Sequence, residues 1–445
     1  MKRLHFYIIM LLAVLTSCED RISQTVTFWV NEPVFMDVAE FRNSVKVSQV
    51  GHEITGYGKI SFYNGYLYMS EPGKGIHIIN NQNPSNPSIV GYIELMGNAD
   101  LSIRDNVLYA DSYIDLVWFD VSNPAKPVFS GRLENVFPEA VPLVDNEFGI
   151  DYEMTYTNRD QDKVVVGWNK VQRTEDMGDS DKGWFWRWLK GDLYATPETN
   201  IDVNTGGNSI NGSMSRFALY LDNLYVVINN QMQVFKLSGS LPERVVENLP
   251  VGFNVETIFS YGNHLFLGTP TGMLIYSVED PVLPVWKSTI THAYGCDPVV
   301  VADDIAYVTV RSGNICGQNT NELIVIDVSD KVDPKLIESY NMTSPKGLGI
   351  DKKTLFVCDN GLKVYDVTDV TKIDEHLIKH FSAGFDGYDV IPYNNVLMMI
   401  ADDGIHQYDY SDLTDIREIV GGYIRVNQDK LEIKPFADKV IMSTN

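Results

Sequence analysis

The stretch Thr320-Asn321-Glu322-Leu323-Ile324-Val325-Ile326-Asp327-Val328-Ser329-Asp330 decides how the chain folds. Four consecutive aliphatic residues between polar flanks describe a strand that is apolar on both faces, as a strand covered from both sides must be. Asp327 closes it, and Ser329 and Asp330 favour the bend that follows. The same pattern returns at Leu116-Val117-Trp118-Phe119-Asp120-Val121-Ser122-Asn123-Pro124 and at Leu362-Lys363-Val364-Tyr365-Asp366-Val367-Thr368-Asp369. Weaker copies lie at 76–80, 232–237, 273–278 and 406–410.

The strand ahead of each copy carries its own anchor pair: Leu67-Tyr68, Leu108-Tyr109, Leu224-Tyr225, Leu265-Phe266, Ala306-Tyr307, Leu355-Phe356 and Leu397-Met398. Successive pairs are separated by 41, 116, 41, 41, 49 and 42 residues. A period near 41 with four short strands per unit and little helical periodicity predicts an all-β fold, the β-propeller. A lone four-stranded sheet exposes both faces, so such units stack around an axis.

The chain ends predict how the ring closes. Val440-Ile441 falls one period after the last anchor pair, yet the chain stops before two further strands. Val34-Phe35-Met36-Asp37-Val38 matches the Asp-terminated strand, and Val45 to Val50 can supply the outer one. Joining both ends in one blade would satisfy open edges and gives eight four-stranded blades, with seven or nine as the alternatives. The 116-residue interval leaves residues 134–212, more or less, beyond one period. Lys163 to Trp168 reads as a strand there, in an elaborated insertion in preference to a hidden ninth blade.

The Leu323-Ile324-Val325-Ile326-Asp327 pentad with its Asp-Val-Ser/Thr turns resembles the LVIVD-repeat proteins, over residues 30 to 425 apart from the insertion. The resemblance implies a propeller of the kind found in bacterial exported lipoproteins. It brings no assigned chemistry.

The N-terminus reads as a signal peptide. Lys2 and Arg3 form a positive start, and Phe6 to Leu15 form an apolar run too short to span a bilayer. Leu15-Thr16-Ser17-Cys18 resembles the lipobox of bacterial lipoproteins, which implies removal of residues 1–17 and lipidation, palmitate included, at Cys18. Several acyl chains on one residue anchor durably. Residues 18–30 would then be a tether and 31–445 one propeller domain with its insertion. Glu19-Asp20 resembles the export tag of Bacteroidetes surface lipoproteins and implies exposure at the outer membrane. The net charge of -24 excludes nucleic acid as a partner, because phosphate binding needs clustered Lys and Arg.

The recurring Asp37, Asp120, Asp327 and Asp366 are scaffold, since a residue repeated blade after blade serves a need common to all blades, here a backbone-accepting turn. With Cys18 lipidated, Cys296 and Cys316 fall in connections on one face of one blade and form a disulfide candidate in an oxidising compartment. Cys358 reads as a small buried residue.

Three constellations remain for function. At the start of the innermost strands stand Lys59, Asp100, Ser215, Glu256, Asp297, Gly347 and Asp389. Its carboxylates Asp100, Glu256, Asp297 and Asp389 would converge near one mouth of the channel, the upper mouth, holding either Ca²⁺ or solvating water. In the insertion, Trp184, Phe185, Trp186, Arg187 and Trp188 offer flat aromatics for a sugar or protein partner, or pin the insertion in place. Upper-face loops add Tyr294, Arg311 and Tyr388 as ligand-binding candidates.

No Gly-x-Ser-x-Gly elbow, phosphate loop or His-Glu-x-x-His helix occurs. The expected role is therefore non-catalytic binding of a glycan, peptide or partner protein. The rivals are a polysaccharide hydrolase or lyase using acidic residues at the channel mouth, and an envelope assembly scaffold.

Overall fold

The computed structural model describes residues 24–48, 52–144, 148–177, 210–228, 230–239, 241–252, 255–291, 298–311, 320–382 and 384–427. Two compact units divide the chain. One takes in residues 35–143, 160–167 and 196–445, the other residues 1–34, 144–159 and 168–195.

The larger unit is a seven-bladed β-propeller. Its blades span residues 60–94, 101–133, 217–250, 257–291, 299–341, 345–381 and 387–425. Each is an antiparallel meander, and the innermost strands are Ile60–Tyr63, Leu101–Arg104, Phe217–Tyr220, Thr257–Tyr261, Val299–Ala302, Pro345–Asp351 and Gly387–Tyr393. Each innermost strand neighbours the next, and Gly387–Tyr393 lies beside Ile60–Tyr63, so the ring is closed. The anchor pairs all fall in second strands and all are buried, down to Tyr68, Tyr225 and Phe356 at 0 % exposure. Leu323, Ile324, Val325 and Ile326 are buried too, because a neighbouring blade covers each face of their sheet.

Eight blades are not formed, and the reason is local. Each of the seven units completes its own sheet, so no blade is left for the termini to share. In blade 7 the outer position is taken by Arg417–Glu418 and Ile424–Arg425, both pairing with Gly404–Asp409. Val34 to Asp37 instead ends a long strand, Gln24–Asp37, that pairs with Lys163–Met177 of the insertion. Val38 already begins a helix, Val38–Asn43. Lys46–Ser48 does add an outer strand, to blade 1. Val440 and Ile441 lie outside the described residues. The seam between blades 7 and 1 packs Ile60 and Met69 with Ile391 and Met398 in one buried cluster and adds polar and aromatic contacts. Asn81 and Gln407 exchange two amide hydrogen bonds of 2.8 Å, and Tyr57 meets Tyr388 edge-on at 5.8 Å.

The repeated aspartates act as turn acceptors. The backbone N–H groups of Ser122, Ser329, Thr368 and Ser411 donate to Asp120, Asp327, Asp366 and Asp409 at 2.8–2.9 Å. Hydrogen bonds from those same Ser and Thr residues hold the four carboxyls below the usual range. Asp37 differs: it sits at the end of the insertion-paired strand and bonds Lys163. Cys358 is a free, fully buried thiol in its strand, and burial pushes its pKa up.

Two-residue hairpins join the first and second strands of several blades. Both central residues have positive φ at Asp105-Asn106, Asp303-Asp304 and Asn394-Asn395, as a type I′ turn demands. Blade 3 places Leu221 at φ 50 in the equivalent turn, and its side chain is 52 % exposed. A left-handed leucine costs about 1 kcal/mol that asparagine largely avoids. Leu221→Asn should therefore raise stability by about 1 kcal/mol in urea titration with an unchanged slope.

The smaller unit contains a buried pair, Phe28 and Val30, packed with Val26 and Val171. Arg173 bridges Glu32 and Asp151, each at 2.6 Å. Among the described residues no helix is long and apolar enough to cross a membrane.

Candidate functional site

The channel is not open from end to end. Residues 210–216, emerging from the insertion, cross it before entering blade 3. Ile210–Asn211 pairs antiparallel with the axis-facing edge of Ile60–Tyr63, matching Ile210 to Phe62 and Asn211 to Ser61. The Asn211 carboxamide accepts from Ser61 Oγ at 2.6 Å and donates to Ser102 Oγ at 2.5 Å, joining blades 1 and 2. Gly212 N–H bonds the Ile60 carbonyl at 2.9 Å. Gly212 has no room for a side chain, because a Cβ there would stand 1.9 Å from Asp389 Oδ2.

Two of the ring carboxylates receive this segment. Asp389, at the start of the blade 7 inner strand, accepts from Ser213 N–H (3.0 Å), Ser213 Oγ (2.9 Å), Met214 N–H (3.2 Å) and Val390 N–H (3.0 Å). Ser213 Oγ in turn accepts from Leu348 N–H of blade 6 at 2.8 Å. Asp100, from blade 2, accepts from Ser215 Oγ, from Arg216 N–H and from Leu101 N–H. Both carboxylates are at 0 % exposure. Burial pushes Asp389 up to about 7 and outweighs the hydrogen bonds that lower it. It raises Asp100 likewise, against Lys59 and Arg216. Arg216 also pairs with the buried Asp111 at 3.0 Å, and Asp111 caps the N–H groups of Ala99 and Asp100.

Glu256 and Arg311 are buried, at 4 % and 5 % exposure. Tyr388 is buried in the blade 7 to blade 1 seam, where Lys59 Nζ donates to its hydroxyl at 3.3 Å. Asp297, Tyr294, Cys296, Cys316, Trp184, Trp186, Arg187, Trp188 and Cys18 lie outside the described residues. Among the described residues no three His, Cys, Asp or Glu side chains form a group able to hold a metal.

Beyond the crossing segment the described residues leave the channel hollow. A cavity of about 470 Å³ opens at the opposite, lower mouth, between Ile210 and Asn211 and the C-terminal halves of the inner strands of blades 4 to 7. Its wall includes Phe259, Val301, Ile350 and Ile391, and its rim includes Tyr261, Asp303, Asp351, Lys352 and Tyr393. The candidates read from sequence lie at the strand starts, in the insertion and on the upper-face loops, and so missed this mouth. The one signal for the crossing was the small polar run Gly206-Gly207-Asn208-Ser209 ahead of Asn211-Gly212-Ser213.

Comparison with known proteins identifies LVIVD repeats at residues 58–94, 97–134 and 297–342, that is, in blades 1, 2 and 5. No curated protein matches the chain. Among solved structures it is similar to a putative 6-phosphogluconolactonase from Bacteroides fragilis (10 % identity, 87 % of this chain and 96 % of that one, TM-score 0.49). It is also similar to the computationally designed Ika8 protein (8 % identity, 83 % and 88 %, TM-score 0.47). A third is Kluyveromyces lactis Hsv2 (12 % identity, 80 % and 94 %, TM-score 0.42). None of these likenesses transfers a function.

Proposed function

We propose that the chain is an exported, lipid-anchored propeller that binds a glycan, peptide or partner protein without transforming it. The observation that supports this reading is the commitment of Asp100 and Asp389. A hydrolase or lyase at the upper mouth needs carboxylates that face substrate. Here both are enclosed and receive hydrogen bonds from the chain's own residues 213–216. The test is to incubate the mature chain with a polysaccharide panel and follow new reducing ends and unsaturated products. No turnover is expected; turnover abolished by Asp100→Asn would establish the enzyme instead.

The anchor has its own test. Cys18→Ala should abolish incorporation of an alkyne palmitate analogue in expressing cells and move the protein to the aqueous phase of a detergent partition. Label retained by the variant would overturn the anchor.

A further inference from the structure

We propose that the lower-mouth cavity is a binding site for one or two neutral sugar rings. This rests on the binding role proposed above and gives it a place and a ligand class. The volume of about 470 Å³ falls in the range of small-ligand sites. The crossing segment closes the channel above it: Ile210 and Asn211 line one side of the cavity along the blade 1 inner strand, and residues 213–216 run on across the axis to Asp389 and Asp100. A long polymer cannot thread through, so only a chain end or a free small saccharide fits.

Charge and surface narrow the class. The two rim carboxylates already have cations: Lys353 Nζ lies 2.8 Å from Asp303, and Lys352 Nζ lies 3.9 Å from Asp351. Tyr410 also donates to Asp351 Oδ2 at 3.0 Å. Among the described residues each rim carboxylate is paired, so they offer little to an anion or a cation. The site does offer a mixed wall, in which edges of Phe259, Val301, Ile350 and Ile391 alternate with backbone, and a rim of hydroxyl, carboxylate and ammonium groups. A pyranose matches this division, with a C–H face for a tyrosine ring and hydroxyls for the rim. Tyr393 suits the stacking role: it is 40 % exposed and its ring is braced by Phe62 at 5.0 Å.

The experiment uses the full mature chain and ligand-observed saturation-transfer NMR, followed by calorimetric titration. The probes are glucose, galactose, mannose, maltose and cellobiose, with glucuronate and glucosamine as charged counterparts. At least one neutral sugar should bind, and its charged counterparts should bind more weakly. Ala302→Trp, which fills the cavity, and Tyr393→Ala, which removes the exposed ring, should each weaken binding about tenfold or more. Tyr393→Ala alters a rim position, so it carries the test if the tryptophan variant does not fold. The cavity site is overturned if no neutral sugar binds, if a charged sugar binds as well or better, or if Tyr393→Ala leaves affinity unchanged. Binding abolished only by Trp186→Ala with Trp188→Ala would overturn the cavity while keeping the binding role. Turnover of a bound sugar would overturn the non-catalytic reading while leaving the cavity site in place.

Discussion

Asp389→Ala is expected to destabilise the propeller by about 3 kcal/mol and to loosen the crossing segment around Ser213 and Met214. The substitution strips the acceptor from four donors, of which three belong to the crossing segment. Each buried donor left unpaired costs about 1–3 kcal/mol, so the gross loss is larger than the net one. Part of it is offset because alanine also ends the burial of a carboxylate at 0 % exposure. Urea titration would give the loss, and amide exchange at 212–216 would locate it. Exchange rates there equal to those of the parent protein would mean that Asp389 does not hold the segment. Gly212→Ala offers an independent route, since its Cβ would fall 1.9 Å from Asp389 Oδ2.

The same carboxylate gives a pH signature of definite sign. Burial raises its folded pKa to about 7, above the ordinary value of about 3.9 for an unfolded aspartate. The folded state therefore binds this proton more tightly. The stabilisation is complete below about pH 4 and is lost as pH rises through about 7. Asp100 is shifted in the same direction. The melting midpoint should rise between pH 8 and pH 5.5, and Asp389→Asn should flatten that rise. The turn aspartates, held low, act in the opposite sense, but only under more acidic conditions.

What was legible in the sequence follows from what repeats. Leu67-Tyr68 and its six relatives had to be buried, because every blade needs the same contact with its neighbours, and the period alone located them. The blade count was less legible. Val34 to Asp37 has the composition of a blade strand, and composition does not say which strand it will pair with; here the partner is Lys163–Met177. The positions of Asp100 and Asp389 at the upper ends of inner strands were readable from register. Their partners were not, since Ser213 and Ser215 stand 176 and 115 residues away in sequence and belong to no repeat. Cavity residues such as Tyr393 were invisible for a related reason: only the crossing segment closes the channel above them.

Asp115→Ala should cost about 3–5 kcal/mol and undock the helix Val38–Asn43 from blade 2. Asp115 opens the third strand of blade 2 with its side chain at 0 % exposure. Arg42 of the helix grips it with two nitrogens, at 2.8 and 3.0 Å, and Arg132 of the outer strand adds a third contact at 2.9 Å. Asn135 N–H donates to the same carboxylate at 2.9 Å, while Arg132 reaches back to the Arg42 carbonyl at 2.7 Å. Two guanidinium groups converge on one carboxylate, so its removal leaves like charges facing each other, 12–18 % exposed, with only the exposed Glu134 still paired to Arg42 at 2.7 Å. That imbalance, more than the lost attraction, sets the size of the effect. Phe41, at 1 % exposure among Tyr113, Ile114 and Val164, would then be drawn out of its packing. The helix follows directly on Asp37, so the change should appear as early proteolysis near residue 43 as well as a lower urea midpoint. Asp115→Ala combined with Arg42→Met and Arg132→Leu removes the stranded charges and should recover most of the loss. If the triple variant is no more stable than Asp115→Ala, hydrogen bonding to Asn135 and the backbone, and not charge balance, is what fastens the helix.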